Sequence, residues 1–213
     1  MNFKRKFLTD VFGINRILGI IGFGLGGYEA YTWACEYPDE MEFLIVANSS
    51  YKTNGYRYTV SKAINNIIDT SDDYFDKIYS EQISKIIISI YSIIYSQYLP
   101  KKVFQNFTPD EIDLFMDDFL EEGLSVDIYD FKYRNDAILR YNVEDKLSNI
   151  KAKTLVVGDS EDLYYNPEFD IYPLEEKIEN IETYVFNTQT PIFYQNYSKF
   201  ENIFKKLLDE FKK

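Results

Sequence analysis

Residues 20–40, IIGFGLGGYEAYTWACEYPDE, set the architecture of this chain. They overlap a continuous apolar run that starts at Arg16 and ends at Phe23, which has the length of a buried strand. A glycine-rich turn follows, and then a helix pattern that Pro38 ends because proline cannot continue a helix. Residues 42–47 (EFLIVA) predict a second buried strand. The chain therefore opens with a strand–turn–helix–strand unit.

Further strands and helices are predicted on both sides of this unit. An amphipathic helix is expected over residues 3–12, before the first strand. Strand patterns return at residues 153–158 and 182–187, with helices expected at 173–179 and 197–211. Buried apolar strands that alternate with helices indicate an α/β fold, with a short parallel sheet flanked by helices.

A helical block separates the second strand from the third. It includes expected helices at residues 80–98, 109–122 (with Thr108 as N-cap) and 127–141. We therefore predict an α/β core formed by residues 1–56 and 142–213, with residues 57–141 as an inserted helical cap.

Composition excludes several classes of function. The net charge of −12 disfavours nucleic acid and anionic membranes as partners, and 46% hydrophobic residues suffice for a folded core. A single cysteine cannot form an internal disulfide, so a cytoplasmic location is expected. Without histidine, and with that one cysteine, we expect no metal site and no cofactor. We expect Cys35 to be a buried residue of the hydrophobic core and not a nucleophile, because no nearby group would lower the pKa of its thiol.

The glycine-rich stretch resembles the nucleophile elbow of the homoserine O-acetyltransferases, a family within the α/β-hydrolase superfamily, whose pattern is G-G-S-M-G-G followed by a helix. The positions in register are Gly22, Gly26, Gly27, Ala30, Trp33, Ala34, Tyr37, Pro38 and Asp39. Residues 147–168 look like the family's strand and loop with the triad acid, and residues 187–211 are similar to its loop and helix with the histidine. The resemblance implies a partial α/β-hydrolase fold.

The catalytic side chains of the family are absent at the matching positions. In register, the family's serine falls on Gly24, its acid on Asp162, and its histidine on or within a residue or two of Thr190. A serine nucleophile needs a base, and the sequence has no histidine. Gly24, Asp162 and Thr190 are therefore remnant triad positions. We predict a catalytically inactive protein that acts as a binding module or subunit.

The resemblance also predicts an exposed sheet edge, since several strands precede the elbow in the family. The strand from Arg16 to Phe23 would then lie at the edge, covered by the helix at 3–12, by a second copy, or by a partner polypeptide. Completion by a partner leaves open an alternative function, an acyltransferase or esterase that is active only with that chain.

Dinucleotide binding is a second alternative, because Gly22, Gly24 and Gly27 match G-x-G-x-x-G after a strand. That function also needs an acidic residue at the end of the next strand to bind the ribose. The second strand instead ends in Ala47, Asn48 and Ser49, so the elbow interpretation is preferred.

Overall fold

A computed structural model of the chain describes residues 2–187 and Lys205. Its sheet consists of β1 (Gly19–Phe23), β2 (Phe43–Ala47), β3 (Lys153–Asp159) and β4 (Ile181–Phe186). The strands lie in the order β1-β2-β3-β4, and every neighbouring pair is parallel. The α/β class and the short parallel sheet are therefore confirmed.

Helices cover the sheet and fill the connection between β2 and β3. The helices are α1 (Asn2–Phe12), α2 (Leu25–Glu36), α3 (Gly55–Ile68), α4 (Asp72–Phe75), α5 (Glu81–Tyr95), α6 (Lys101–Asn106), α7 (Pro109–Leu124), α8 (Ile128–Leu139) and α9 (Pro167–Asp170), with 3₁₀ turns at Glu144–Asn149 and Tyr172–Leu174. Helices α3 to α8 all lie between β2 and β3. None of the described helices is long and apolar enough to cross a membrane.

Side-chain caps explain where helices of this block begin. Thr108 forms a capping box with Glu111: the Thr108 Oγ1 accepts from the Glu111 amide, and the Glu111 carboxylate accepts from the Thr108 amide. Asp127 caps α8 by accepting from the amides of Tyr129 and Asp130. The expected Thr108 N-cap is therefore confirmed.

The core has three parts. One face of the sheet packs against α2 through Leu44, Val46 and Val156. The other face carries a second buried cluster: Phe43, Ile45, Ala47, Leu155, Val157 and Phe186. Helices α3, α5 and α8 share a separate cluster that includes Ile64, Ile90 and Phe131. The division into an α/β core and an inserted helical cap stays a prediction.

Two local expectations were wrong. Strand β1 begins at Gly19 rather than Arg16, and ahead of it the Ile17 amide donates to the carbonyl of Glu40, in the loop before β2. The helix expected at 173–179 is reduced to a 3₁₀ turn, and α9 forms just before it. Asn166 explains α9, since its side chain accepts from the Glu168 amide and Pro167 follows at the first helical position. The helix expected at 197–211 lies outside the described residues.

Candidate functional site

Gly24 forms the turn between β1 and α2, with φ +53° and ψ −120°. This left-handed conformation is costly for residues with a side chain, and it matches the strained turn of a nucleophile elbow. The Gly24 amide donates to the carbonyls of Ala47 (3.2 Å) and Asn48 (3.1 Å), which ties the turn to the end of β2. A Cβ placed at Gly24 would meet no atom within 4 Å. The position that holds the nucleophile in the family therefore faces open space here.

Close packing accounts for two further glycines of the elbow. A Cβ at Gly22 would lie 2.7 Å from the Cα of Gly27, and a Cβ at Gly27 would overlap the side chain of Ser49. Ser49 is fixed in turn, because its Oγ donates to the Gly24 carbonyl at 2.7 Å. Gly22 and Gly27 thus let the helix approach the sheet.

The sheet order adds an argument against dinucleotide binding. Nucleotides bind α/β sheets at a point where the strand order reverses. In the described sheet the order runs from β1 to β4 without a reversal. The end of β2 also lacks an acid, because Asn48 and Ser49 occupy it. The geometry favours the elbow over a dinucleotide fingerprint.

Asp162 lies in the loop after β3, and its carboxylate already has partners. The Oδ1 accepts from the amides of Tyr164 (2.7 Å) and Tyr165 (2.8 Å), and Asn48 Nδ2 donates to the Oδ2 at 3.2 Å. Burial raises the pKa of this carboxyl group. Asp162 is therefore held by amide donors, with Asn48 as its side-chain partner.

The structure brings two of the three remnant triad positions together. Gly24 and Asp162 line one cavity, while Thr190 lies outside the described residues. Cys35 does not line this cavity and is buried. Its burial raises the pKa of the thiol to about 12, which keeps it protonated. The expectation that Cys35 is core packing is confirmed.

The cavity has a volume of about 380 Å³ and lies between the elbow and the helical block. Its aromatic lining consists of Phe23, Tyr91, Tyr95, Tyr98, Phe131, Tyr164 and Tyr165. Its polar lining includes Asn48, Ser61, Gln97, Arg134, Asn135 and Asp162. The residues from the helical block were not identified from the sequence. The apolar run in α5 indicated a buried helix, but no local signal distinguished the side chains that face a cavity.

Among the polar residues named above, Gln97 has a buried side-chain atom without a hydrogen-bond partner in the described part of the chain. Its side chain is 9% exposed, and its Nε2 donates to the Ile93 carbonyl at 2.9 Å. Its Oε1 is buried and has no hydrogen-bond donor among the described residues. A buried acceptor without a donor is costly, so the Gln97 Oε1 lowers the stability of this part of the fold.

A buried ion pair positions the loop that carries Asp162. Arg57 on α3 is paired with Asp170 on α9, and their side chains are 4% and 1% exposed. The Arg57 Nη2 donates to Ser50 Oγ at 2.8 Å, and its Nη1 donates to the Tyr164 carbonyl at 2.9 Å. Arg57 therefore connects the loops after β2 and β3, which supply Asn48 and Asp162.

No protein-family model matches the sequence. The chain is 34% identical over 190 residues to a probable acyltransferase of Methanothermobacter thermautotrophicus, covering 89% of this chain and 58% of that protein. It is 28% identical over 198 residues to the homoserine O-acetyltransferase of Haemophilus influenzae, covering 82% of this chain and 55% of that protein. The chain thus spans little more than half the length of these relatives.

Solved structures share the fold. An acetylester hydrolase from Corynebacterium glutamicum aligns with a TM-score of 0.83 and 16% identity, over 97% of this chain and 65% of that chain. The homoserine O-acetyltransferase from Bacillus anthracis aligns with a TM-score of 0.75 and 17% identity, over 90% of this chain and 59% of that chain. Sequence relatives and fold together show that the chain is an α/β-hydrolase-like protein related to the homoserine O-acetyltransferases.

Proposed function

We propose that this chain is a non-catalytic relative of these enzymes that binds a small ligand in the elbow cavity. One observation carries the proposal: the elbow is built and faces a cavity, but Gly24 presents no side chain to attack a substrate. The sequence also contains no histidine to act as base. The scaffold for binding is thus present without the groups for acyl transfer.

The surroundings of Asp162 support this proposal. In a triad the acid orients an imidazole, whereas here it accepts from two backbone amides and from Asn48. The alternative, an acyltransferase or esterase completed by a partner chain, would require that chain to place a nucleophile above Gly24. It would also have to supply a base.

Gly24→Ser tests the non-catalytic proposal. We expect p-nitrophenyl acetate hydrolysis to stay at the buffer rate for the unmodified chain and for the variant, because the new hydroxyl would have no base. Gly24→Ala controls for backbone strain, which should cost both variants about 1–3 kcal/mol of stability. Turnover by the unmodified chain that a single substitution abolishes would show that the protein is an enzyme.

A role as a subunit is a second candidate, favoured by β1. Among the described strands, β1 pairs with β2 alone. The Leu18 carbonyl accepts from the Phe43 amide and the Gly24 amide donates to Ala47, so alternate residues of β1 bond to β2. The intervening backbone groups, at Gly19 and Ile21, therefore point toward the open edge.

We propose a second copy of this chain as the occupant of this edge. Ile21 is 57% exposed although α1 is formed, so the helix does not bury it. In an antiparallel pair centred on Ile21, Gly19 of one copy would lie opposite Phe23 of the other. A different polypeptide at this edge remains the alternative proposal.

Ile21→Lys tests the subunit proposal. We expect light scattering after size-exclusion chromatography to show twice the chain mass for the unmodified protein and the single mass for Ile21→Lys, because a charge on an edge strand opposes pairing. Leu114→Lys, at a 68% exposed position on α7, should remain a dimer. A monomeric unmodified chain, or a dimer that Ile21→Lys leaves intact, would exclude self-pairing through β1.

A further inference from the structure

We propose that the ligand of the elbow cavity is an uncharged, largely apolar small molecule, an inference that rests on the binding role proposed above. The cavity volume of about 380 Å³ falls within the range of about 300–1,000 Å³ that small-molecule sites occupy. Three features of the lining carry the proposal: its aromatic rings, its polar groups that bond within the protein, and its charges of opposite sign.

Aromatic rings form much of the cavity wall. They come from three segments: Tyr91 and Tyr95 from α5, Phe131 from α8, and Tyr164 and Tyr165 from the loop after β3. The ring centroids of Tyr91 and Phe131 lie 6.1 Å apart, so the two helices meet through their rings on this wall. An apolar ligand gains free energy roughly in proportion to the apolar area that it and such a wall remove from water.

Carboxamides that the helical block contributes to the lining already donate to protein acceptors. Gln97 Nε2 donates to the Ile93 carbonyl at 2.9 Å, and its Oε1 is buried out of a ligand's reach. Asn135 Nδ2 donates to the Ser61 carbonyl and to Asn65 Oδ1, both at 2.8 Å. A polar ligand would lose hydrogen bonds to water and would have to compete with these bonds to replace them. An apolar ligand avoids that loss.

Charges of opposite sign lie in the lining. Asp162 accepts from two backbone amides and from Asn48, so its carboxylate is already satisfied. Arg134 is exposed to solvent, and its guanidinium lies 5.2 Å from the centroid of the Phe131 ring. A ligand ion would be attracted by one of these groups and repelled by the other, and it would lose its own hydration. The lining therefore favours an uncharged ligand over an ion of either sign.

Three probes of matched shape test the ligand class: 4-phenylbutanol, 4-phenylbutylamine and 4-phenylbutyrate, titrated by calorimetry into the full chain at neutral pH. At this pH the alcohol is uncharged, the amine is a cation and the carboxylate is an anion. We expect the alcohol to bind at least tenfold more tightly than either ion, a difference of about 1.4 kcal/mol. The heat-capacity change on alcohol binding should be negative, because apolar surface is buried.

Two variants locate the probe in the cavity. Ile94→Trp on α5 and Ile138→Trp on α8 each enlarge a lining side chain, and each should weaken alcohol binding at least tenfold by filling the space of the ligand. Ile78→Trp is the matched control, since Ile78 is 50% exposed and does not line the cavity. Near-UV circular dichroism reports whether each variant is folded, and either lining variant carries the test if the other does not fold.

Arg134→Met tests whether the exposed cation selects the ligand. We expect alcohol affinity to stay within about threefold of that of the unmodified chain, because an uncharged ligand does not depend on the guanidinium. A carboxylate that binds more tightly than the alcohol, and that loses this advantage in Arg134→Met, would instead identify an anion site.

The outcomes separate the ligand class from the binding role. Tighter binding of either ion than of the alcohol would overturn the uncharged class and leave the binding role standing. Alcohol binding that both tryptophan variants retain would place the probe outside the cavity and overturn the proposal. Failure of all three probes to bind would overturn the proposed class and count against the binding role as well.

Discussion

Replacing Arg57 with methionine is expected to lower the free energy of unfolding by about 3–5 kcal/mol, because the Asp170 carboxylate would stay buried without its counter-charge. Asp170 is 1% exposed, and besides Arg57 it accepts from Ser50 Oγ at 2.7 Å. The variant would also free the Lys52 and Tyr164 carbonyls, which both accept from the guanidinium. Methionine matches the length of arginine, so the loss would come from charge and hydrogen bonds.

Urea unfolding followed by circular dichroism measures this effect. Lys146→Met is the matched control, since Lys146 forms an exposed pair with Glu36, and such pairs contribute about 0–1 kcal/mol. Arg57→Lys should recover only part of the stability, because an ammonium cannot reproduce the two-nitrogen contact. A loss below about 1 kcal/mol for Arg57→Met would mean that water or a nearby cation compensates Asp170.

The Arg57–Asp170 pair shows what the sequence could not reveal. The two residues are 113 positions apart, and Asp170 lies in α9, which was not expected. Neither residue belongs to a sequence motif with a recognisable spacing. Only the packing of α3 against the loop after β3 brings the charges together, so the contact depends on the tertiary fold.

The sheet, by contrast, was predictable from local patterns. Apolar runs of strand length alternate with helices, and the β1 run leads directly into the glycine turn. These features predicted the parallel sheet, and the resemblance to the homoserine O-acetyltransferases placed the elbow at Gly24. The cavity lining was not predictable in the same way, because Gln97 and Arg134 come from the helical block. Which of their neighbours face the cavity depends on how α5 and α8 lie over the sheet.

Within the elbow, the sequence pattern does not distinguish glycines that are needed from those that are not. Gly26 and Gly27 are adjacent in the first turn of α2, and neither has a positive φ. A Cβ at Gly26 would meet no atom within 4 Å. A Cβ at Gly27 would overlap the Ser49 side chain and lie 2.9 Å from Val46 Cγ1. The two positions therefore make opposite predictions for the same substitution.

Gly27→Ala is expected to destabilise the chain by about 1–3 kcal/mol, because added volume in a tight contact forces neighbours to move. Ser49 cannot rotate away without losing the 2.7 Å hydrogen bond from its Oγ to the Gly24 carbonyl. The cost should therefore include looser geometry at the elbow. Gly26→Ala should instead stabilise the chain by about 0.4–1 kcal/mol, since alanine reduces the conformational entropy of the unfolded chain.

Thermal and urea unfolding of the two variants in parallel measure the difference. Both variants replace glycine by alanine in the same helical turn, so they gain the same helix propensity. The difference between their stabilities therefore reports the contact with Ser49. Adding Ser49→Gly to Gly27→Ala should recover part of the loss, because it removes the overlapping atoms. If both single variants stabilise the chain equally, α2 does not approach β2 closely at Gly27. The elbow would then lack the tight turn on which the binding proposal depends.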